Sequence, residues 1–346
     1  VSPKGLPPGR DGPAAVLYPT DLLVLAMNLC FALLSLLNCG RARLVLPGLN
    51  LDRELVLGLI FLLLDILILL FVRLLNPLRS RVAQFFRMFY VQALYTLYFT
   101  QSILLSQLFF HGRSLDAQFA WLEQFLFRSQ PALIMSRGLG AGPWFNELIF
   151  FAYFSFYAMI TLGPWFLYVR ERYEEARRML FIITLSFFVL YVWYAFFPVQ
   201  GPKYFFPELR RMWYSNFDGY FFTHLMKAFF GSVNLAGAAV PSSHVAVALV
   251  ALMLNWRDNR ALFWVFLPLT VLLAFSTIYL YAHYVVDVIL GAAVGVLLYI
   301  FIPRASGAVS RATARLGDGL RRRLGFPVVA LSGRRPRQRL SRGRLP

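Results

Sequence analysis

Long unbroken apolar runs constrain this chain more than any other feature. Stretches such as "ELVLGLIFLLLDILILLFV" and "VVDVILGAAVGVLLYIFI" approach the roughly 20 residues that a helix needs to cross a bilayer. They are continuously apolar rather than alternating, which excludes barrel strands and leaves helices as the only spanning structure. The composition agrees. Of 346 residues, 59% are hydrophobic and 17% aromatic, with a mean hydropathy of +0.62, against about 45–50% apolar in a soluble domain. The expected fold is all-α, a polytopic membrane helical bundle.

Reading the runs in order predicts about eight crossings, near 20–39, 53–73, 88–107, 146–168, 179–197, 242–256, 261–281 and 284–303, with boundaries good to about two to four residues. The first run follows a polar leader with Lys4 and Arg10, but no small-residue cleavage site precedes the next loop, so a membrane helix is expected there rather than a signal peptide. The expected divisions are a leader over 1–19, two N-terminal helices within 20–87, a core over 88–303 and a basic tail over 304–346. The stretch 113–128, "RSLDAQFAWLEQFLFR", sets Leu115, Phe119, Leu122 and Phe125 at helical spacing and reads as an amphipathic helix at the interface.

Arginine sets the orientation. Arg79, Arg81 and Arg87, then Arg170, Arg172, Arg177 and Arg178, then Arg257 and Arg260, and finally the tail fall on one side. Positive-inside bias makes that side cytoplasmic, with both termini on it and loop 198–243 facing outward. A plasma-membrane protein is expected. The net charge of +18 is concentrated in the arginine-rich tail, which has one acid, Asp318. Such a juxtamembrane segment is expected to lie against anionic lipid, partly disordered. No aromatic interleaving supports nucleic-acid binding. Cys30 and Cys39 lack CxxC spacing and read as packing residues.

Against this apolar background, three polar clusters fall on the outward side: "FPVQGPKYF" (197–205), "PSSH" (241–244) and "STIYLYAHYVVD" (276–287). His283 and Asp287 are four residues apart, one helical turn, within contact range. A carboxylate at membrane depth costs about 2.5–3.5 kcal/mol even on lenient scales, so Asp287 needs a partner or a task. Accepting from one ring nitrogen of His283 would fix the tautomer and leave the other nitrogen nucleophilic. Pro241 and Ser242 read as a helix start, with Ser242 the N-cap. Free N–H groups and the positive end of the helix dipole would then bind an anion, helped by the Ser242 or Ser243 hydroxyl, with His244 beside it as proton donor.

These residues resemble the type 2 phosphatidic acid phosphatase superfamily, whose second motif is P-S-G-H and third S-R-x5-H-x3-D. Ser276, His283 and Asp287 reproduce the third spacing. The resemblance implies a core of six helices with its site at one membrane face. It also implies His283 as nucleophile, Asp287 orienting it, His244 protonating the leaving oxygen, Ser242 contacting phosphate, and no metal or other cofactor. Three positions depart from the pattern. Thr277 replaces the third-motif arginine, Ser243 replaces glycine, and the first motif K-x6-R-P is absent, although Lys203 is one of three lysines among 34 basic residues. These departures are similar to the inositol phosphorylceramide synthase branch, whose third motif centres on H-Y-x-x-D, matched here by "HYVVD". That branch implies transfer of a phosphorylated head group from a phospholipid to a hydroxyl-bearing acceptor lipid.

The expected function is thus an integral membrane phosphotransferase working through a phosphohistidine, with Lys203 and the Ser242–Ser243 turn holding phosphate. The alternatives are a lipid phosphate phosphatase and, from another class, a membrane binding or transport protein. The latter would favour midplane charges and inverted repeats. Arg210 and Arg211 are weighed equally as phosphate ligands and as headgroup-level charge. Asp65, Gln92, Gln101 and Glu147 read as helix–helix or helix-end contacts, with a functional role open for Asp65, and Tyr279, Tyr281 and Tyr284 as an interface belt.

Overall fold

The computed structural model describes residues 17–46, 49–77, 80–138, 142–215, 217–232 and 236–324. Most of the expected leader and residues 325–346 of the expected tail lie outside the described residues. Among the described residues, six helices are long and apolar enough to cross a membrane: α1 (Pro19–Leu36), α2 (Arg53–Leu74), α6 (Pro143–Val169), α7 (Tyr173–Phe196), α12 (Arg260–Tyr279) and the first half of α13 (Val285–Leu324). Two further helices run with them, α3 (Arg81–Phe109) and α11 (Ser243–Asp258). The protein is an all-α polytopic membrane bundle. A two-stranded hairpin, β1 (Arg43–Leu46) with β2 (Leu49–Asp52), joins α1 to α2.

Neither α3 nor α11 looks like an ordinary span, and each for a physical reason. At 16 residues, α11 is about 24 Å long, and α6, α7, α12 and α13 all pack on it. It lies inside protein, so lipid sets no minimum on its apolar length. In α3 polar side chains reach other helices: Gln101 donates to Ser35 Oγ (2.8 Å), and Arg87 meets Asp21 at 2.8 Å with both side chains buried. Asp21 also accepts from Tyr90 Oη (2.9 Å) and the Tyr18 N–H (2.7 Å). Removing one member would strand a buried charge, a loss of about 3–5 kcal/mol. Asp65 is likewise a helix contact, accepting from Asn28 Nδ2 at 2.8 Å.

Close approach of α13 to α11 is built on small residues. A Cβ on Gly291 would lie 2.7 Å from the Ser242 carbonyl oxygen, and one on Gly295 2.6 Å from that of Ala246. A proline has a comparable effect on α6. Pro164 has no N–H to offer the carbonyl four residues back, and Gln92 of α3 donates to that Ile160 carbonyl instead (3.1 Å).

The turns after α2, α6 and α11 gather at one end, where Arg178 meets Asp258 (2.6 Å) and Arg172 donates to the Asp258 carbonyl (2.8 Å). The opposite end carries five short helices: α4 (Asp116–Phe127), α5 (Pro131–Gly138), α8 (Pro202–Phe205), α9 (Pro207–Ser215) and α10 (Phe221–Ser232). Loop 198–243 is therefore largely helical. Glu147 fastens α10, accepting from the backbone of Phe222 (2.6 Å) and Tyr220 (2.8 Å). Beyond residue 303, α13 continues as helix to Leu324, through the start of the expected tail, a stretch of strong helix formers such as Ala, Leu and Arg.

Candidate functional site

The short-helix end holds the three polar clusters, and local chain chemistry explains their geometry. Ser242 is the N-cap of α11, its Oγ accepting from the Val245 N–H at 3.4 Å. The first-turn N–H groups that follow have no intrahelical partner and point out of the helix start. The segment before the cap is tied down: Trp193 Nε1 donates to the Val240 carbonyl (3.1 Å), and Tyr194 Oη to that of Pro241 (2.5 Å).

At the other cluster α12 ends and α13 begins within five residues. Tyr281 takes a positive φ of 60°, and the N–H groups of Ala282 and His283 both donate to the Thr277 carbonyl (3.0 and 3.1 Å). Asp287, in the first turn of α13, accepts from the Tyr284 N–H (2.9 Å), the acidic half of a capping box. Its Oδ2 also lies 3.5 Å from His283 Nδ1. The nearer partner of Nδ1 is the Ala239 carbonyl at 2.9 Å. A carbonyl can only accept, so Nδ1 carries hydrogen and Nε2 keeps its lone pair. The tautomer thus rests first on Ala239 and second on Asp287.

The rings of His244 and His283 meet edge-on, with centroids 5.8 Å apart and planes inclined at 65°, and Tyr153 and Phe156 flank His244 at 4.7 and 4.6 Å. Both histidines line a cavity of ≈ 250 Å³, together with Ser243 and Lys203. Ser242 is fully buried at the cap beneath, its backbone N–H given to the Asp287 carbonyl (3.1 Å), and does not line that cavity. Thr277 is also fully buried, its hydroxyl given to the Ala274 carbonyl (2.8 Å).

Lys203 is brought in by the turn before α8. Gly201 has φ +92°, and a Cβ there would lie 2.6 Å from the Ala282 carbonyl oxygen, so only glycine lets this turn sit against the His283 segment. The Lys203 N–H donates to the Tyr281 carbonyl (2.8 Å), and Nζ lies 3.6 Å from the centre of the Trp213 ring. Burial first, and the Arg210 charge second, lower the Lys203 ammonium to a pKa of about 8. Arg210 and Arg211 are exposed and do not line the cavity.

Two residues that sequence reading passed over tie the clusters together. In α4, Asp116 and Glu123 are seven apart and both buried, while Trp121 and Phe125 are 66% and 56% exposed. The helix is amphipathic with its carboxylates inward and much of its apolar face outward, which suits a helix bordering lipid. Leu115 and Phe119 of the expected stripe do pack inward, but Phe125 does not. Asp116 accepts from the backbone N–H groups of Gln200 and Gly201 (2.8 Å each) and from Tyr284 Oη (3.1 Å). Glu123 accepts from the Val285 N–H (2.5 Å). Burial raises both carboxyls, Glu123 to a pKa of about 7. The tyrosines expected as an interface belt are instead inside: Tyr279, Tyr281 and Tyr284 are all buried. The i to i+7 spacing of two acids on a helix of apolar neighbours was the available signal.

A family model described as the PAP2 superfamily matches residues 117–301. The chain belongs to the PAP2 superfamily. It is accordingly a membrane enzyme, a phosphatase or phosphotransferase. No curated protein and no solved structure matches the chain. The family match begins inside α4 and ends inside α13, leaving α1 to α3 outside it.

Proposed function

We propose that this PAP2 enzyme transfers the phospho-head-group of a lipid to a hydroxyl acceptor through a phosphohistidine on His283, as in an inositol phosphorylceramide synthase. The observation that carries the reading is the pair of adjacent histidines, with Nε2 of His283 left nucleophilic by the Ala239 carbonyl.

In the first step Nε2 attacks phosphorus, a P–N bond forms, and the bond to the leaving oxygen breaks. His244 gives that oxygen its proton, while Ala239 and Asp287 stabilise the charge that develops on the His283 ring. In the second step the acceptor hydroxyl attacks phosphorus and its proton passes to His244. The P–N bond breaks and both rings return to their starting state. The phosphate oxygens are held by the α11 start, with Ser242 shaping the cap and Ser243 in the cavity, and by Lys203.

Transfer is favoured over hydrolysis by the charge of the site. A phosphomonoester dianion gains from several fixed cations, and among the described residues Lys203 is the one lysine or arginine that lines this cavity. A phosphodiester donor carries one negative charge. We place the site on the extracytoplasmic face of the plasma membrane and both termini in the cytoplasm, because the arginine-bearing turns lie at the opposite end.

The test is product partition with purified protein and a phosphodiester lipid donor, with and without ceramide, diacylglycerol or inositol. Acceptor-dependent product, and its loss in His283→Ala, is expected. Rapid phosphate release from phosphatidate without acceptor dependence would leave a phosphatase instead.

A further inference from the structure

The cavity does not end at the histidines. It continues between α3 and α6, which both pack on α7 but make few contacts with each other. One wall runs along α3 from Phe99 to Gln92 and the other along α6 from Tyr153 to Thr161. Seven to eight helical residues correspond to about 10–12 Å of depth at 1.5 Å per residue. Among the described lining residues Lys203 is the only lysine or arginine and none is a carboxylate, so those below the histidines carry no charge. Aromatic rings of α3, α6 and α7 make up most of that part. Its far end is marked by the bridge from Gln92 Nε2 to the Ile160 carbonyl, with Thr161 beside it. Thr96 is exposed and also lines the slot, which places an opening of the slot beside it.

We propose that this slot seats one hydrocarbon chain of the lipid substrate, admitted sideways from the bilayer at Thr96 and stopped at the Gln92–Ile160 bridge. The proposal rests on the reading that the phosphate binds between His244, His283 and Lys203. An amphiphile with its anionic end there has its chain at the top of a slot without charges. Lipid tails are as apolar as the slot, so seating a chain gains little from the hydrophobic effect. What it supplies is orientation: a chain fixed between α3 and α6 fixes the phosphorus against Nε2 of His283. One whole wall belongs to α3, which precedes the matched residues 117–301, so chain selection resides in a helix that the family match does not cover.

The experiment uses the full chain in phosphatidylcholine liposomes and phosphatidate carrying a photoreactive diazirine on one chain. After photolysis, labelled residues are mapped by mass spectrometry. A diazirine near the head should label around Phe99 and Phe156, and one farther down around Gln92 and Thr161. Thr96→Trp, which fills the mouth, should cut that labelling about tenfold while labelling of lipid-exposed α2 stays constant. Thr161→Trp does the same from the opposite wall if the first variant misfolds. His283→Ala should keep the labelling. Labelling spread evenly over α2, α3 and α6, or unchanged by both fillers, overturns the slot. Turnover of a water-soluble phosphate ester separates the two ideas: kept without slot labelling, it leaves the chemistry standing, and slot labelling without any turnover does the reverse.

Discussion

Replacing Asp116 with Asn tests whether α4 holds the site in register. The carboxylate accepts three hydrogen bonds from two site segments, Gln200–Gly201 and Tyr284. Asparagine keeps the size but turns one acceptor oxygen into a donor, so one backbone N–H of Gln200 or Gly201 meets an NH₂ group. A hydrogen bond to a charged group contributes about 1.5–3 kcal/mol, or roughly 10- to 100-fold. The loss should appear in kcat, because the Val199 carbonyl accepts from the Ala239 N–H (3.0 Å), and the Ala239 carbonyl in turn accepts from His283 Nδ1–H. The helix contacts that set global stability lie elsewhere, in α1, α3, α7 and α11. Steady-state transfer in detergent and a thermal melt measure both quantities. We expect kcat to fall about tenfold or more with KM changed less than about threefold and Tm by a few degrees. A kcat within twofold of wild type, or a loss fully explained by unfolded protein, refutes the positioning role.

Two further outcomes concern pH. Lys203 loses its charge as pH rises through about 8, so kcat/KM should fall above that pH, and Lys203→Met should be slower throughout and lack this limb. Glu123 is raised to about 7 from an ordinary 4.5. The folded protein therefore holds more protons than the unfolded chain between these values, and stability should decline as pH rises across that window. Glu123→Gln keeps an acceptor for the Val285 N–H and should flatten the Tm profile between about pH 5 and 7; an unchanged slope contradicts the assignment.

The long apolar helices were legible because bilayer thickness imposes a length and a composition on each of them. The two polar clusters were legible for the complementary reason, that His244, His283 and Asp287 are costly at membrane depth. What escaped was anything that depends on a partner distant in sequence. Asp116 lies 168 residues from Tyr284, and the i to i+7 spacing of the acids in "SLDAQFAWLEQFLF" sets them on one face without saying that this face turns inward. Periodicity marks the apolar stripe of such a helix. It cannot say whether lipid or protein lies beside each face. The same blindness placed Tyr279, Tyr281 and Tyr284 in a belt, when short helices cover them. It also made a loop of 198–243, whose helices are held by contacts such as Glu147 with the start of α10.

The distance between the two histidines is set by residues that carry no chemistry. His244 rides on α11, and Asp287 on α13, whose start abuts His283, so their spacing is the spacing of those helices. Gly291 and Gly295 let the backbone of α13 come within contact of Ser242 and Ala246, and at that separation the Ser242 N–H reaches the Asp287 carbonyl (3.1 Å). A side chain at either glycine must push α13 outward, and Asp287 would move with it. Gly201 acts in the same way on Lys203, which reaches the cavity only because its turn can lie against Ala282. On the other side, Pro164 exposes the Ile160 carbonyl, and Gln92 bridges α3 to α6 there while the rest of the gap stays open. Small residues thus close the bundle behind the histidines, and a proline with its glutamine leaves it open toward the lipid. The cavity lies between the histidine end, where α11 packs closely on α13, and the far end, where α3 and α6 scarcely touch.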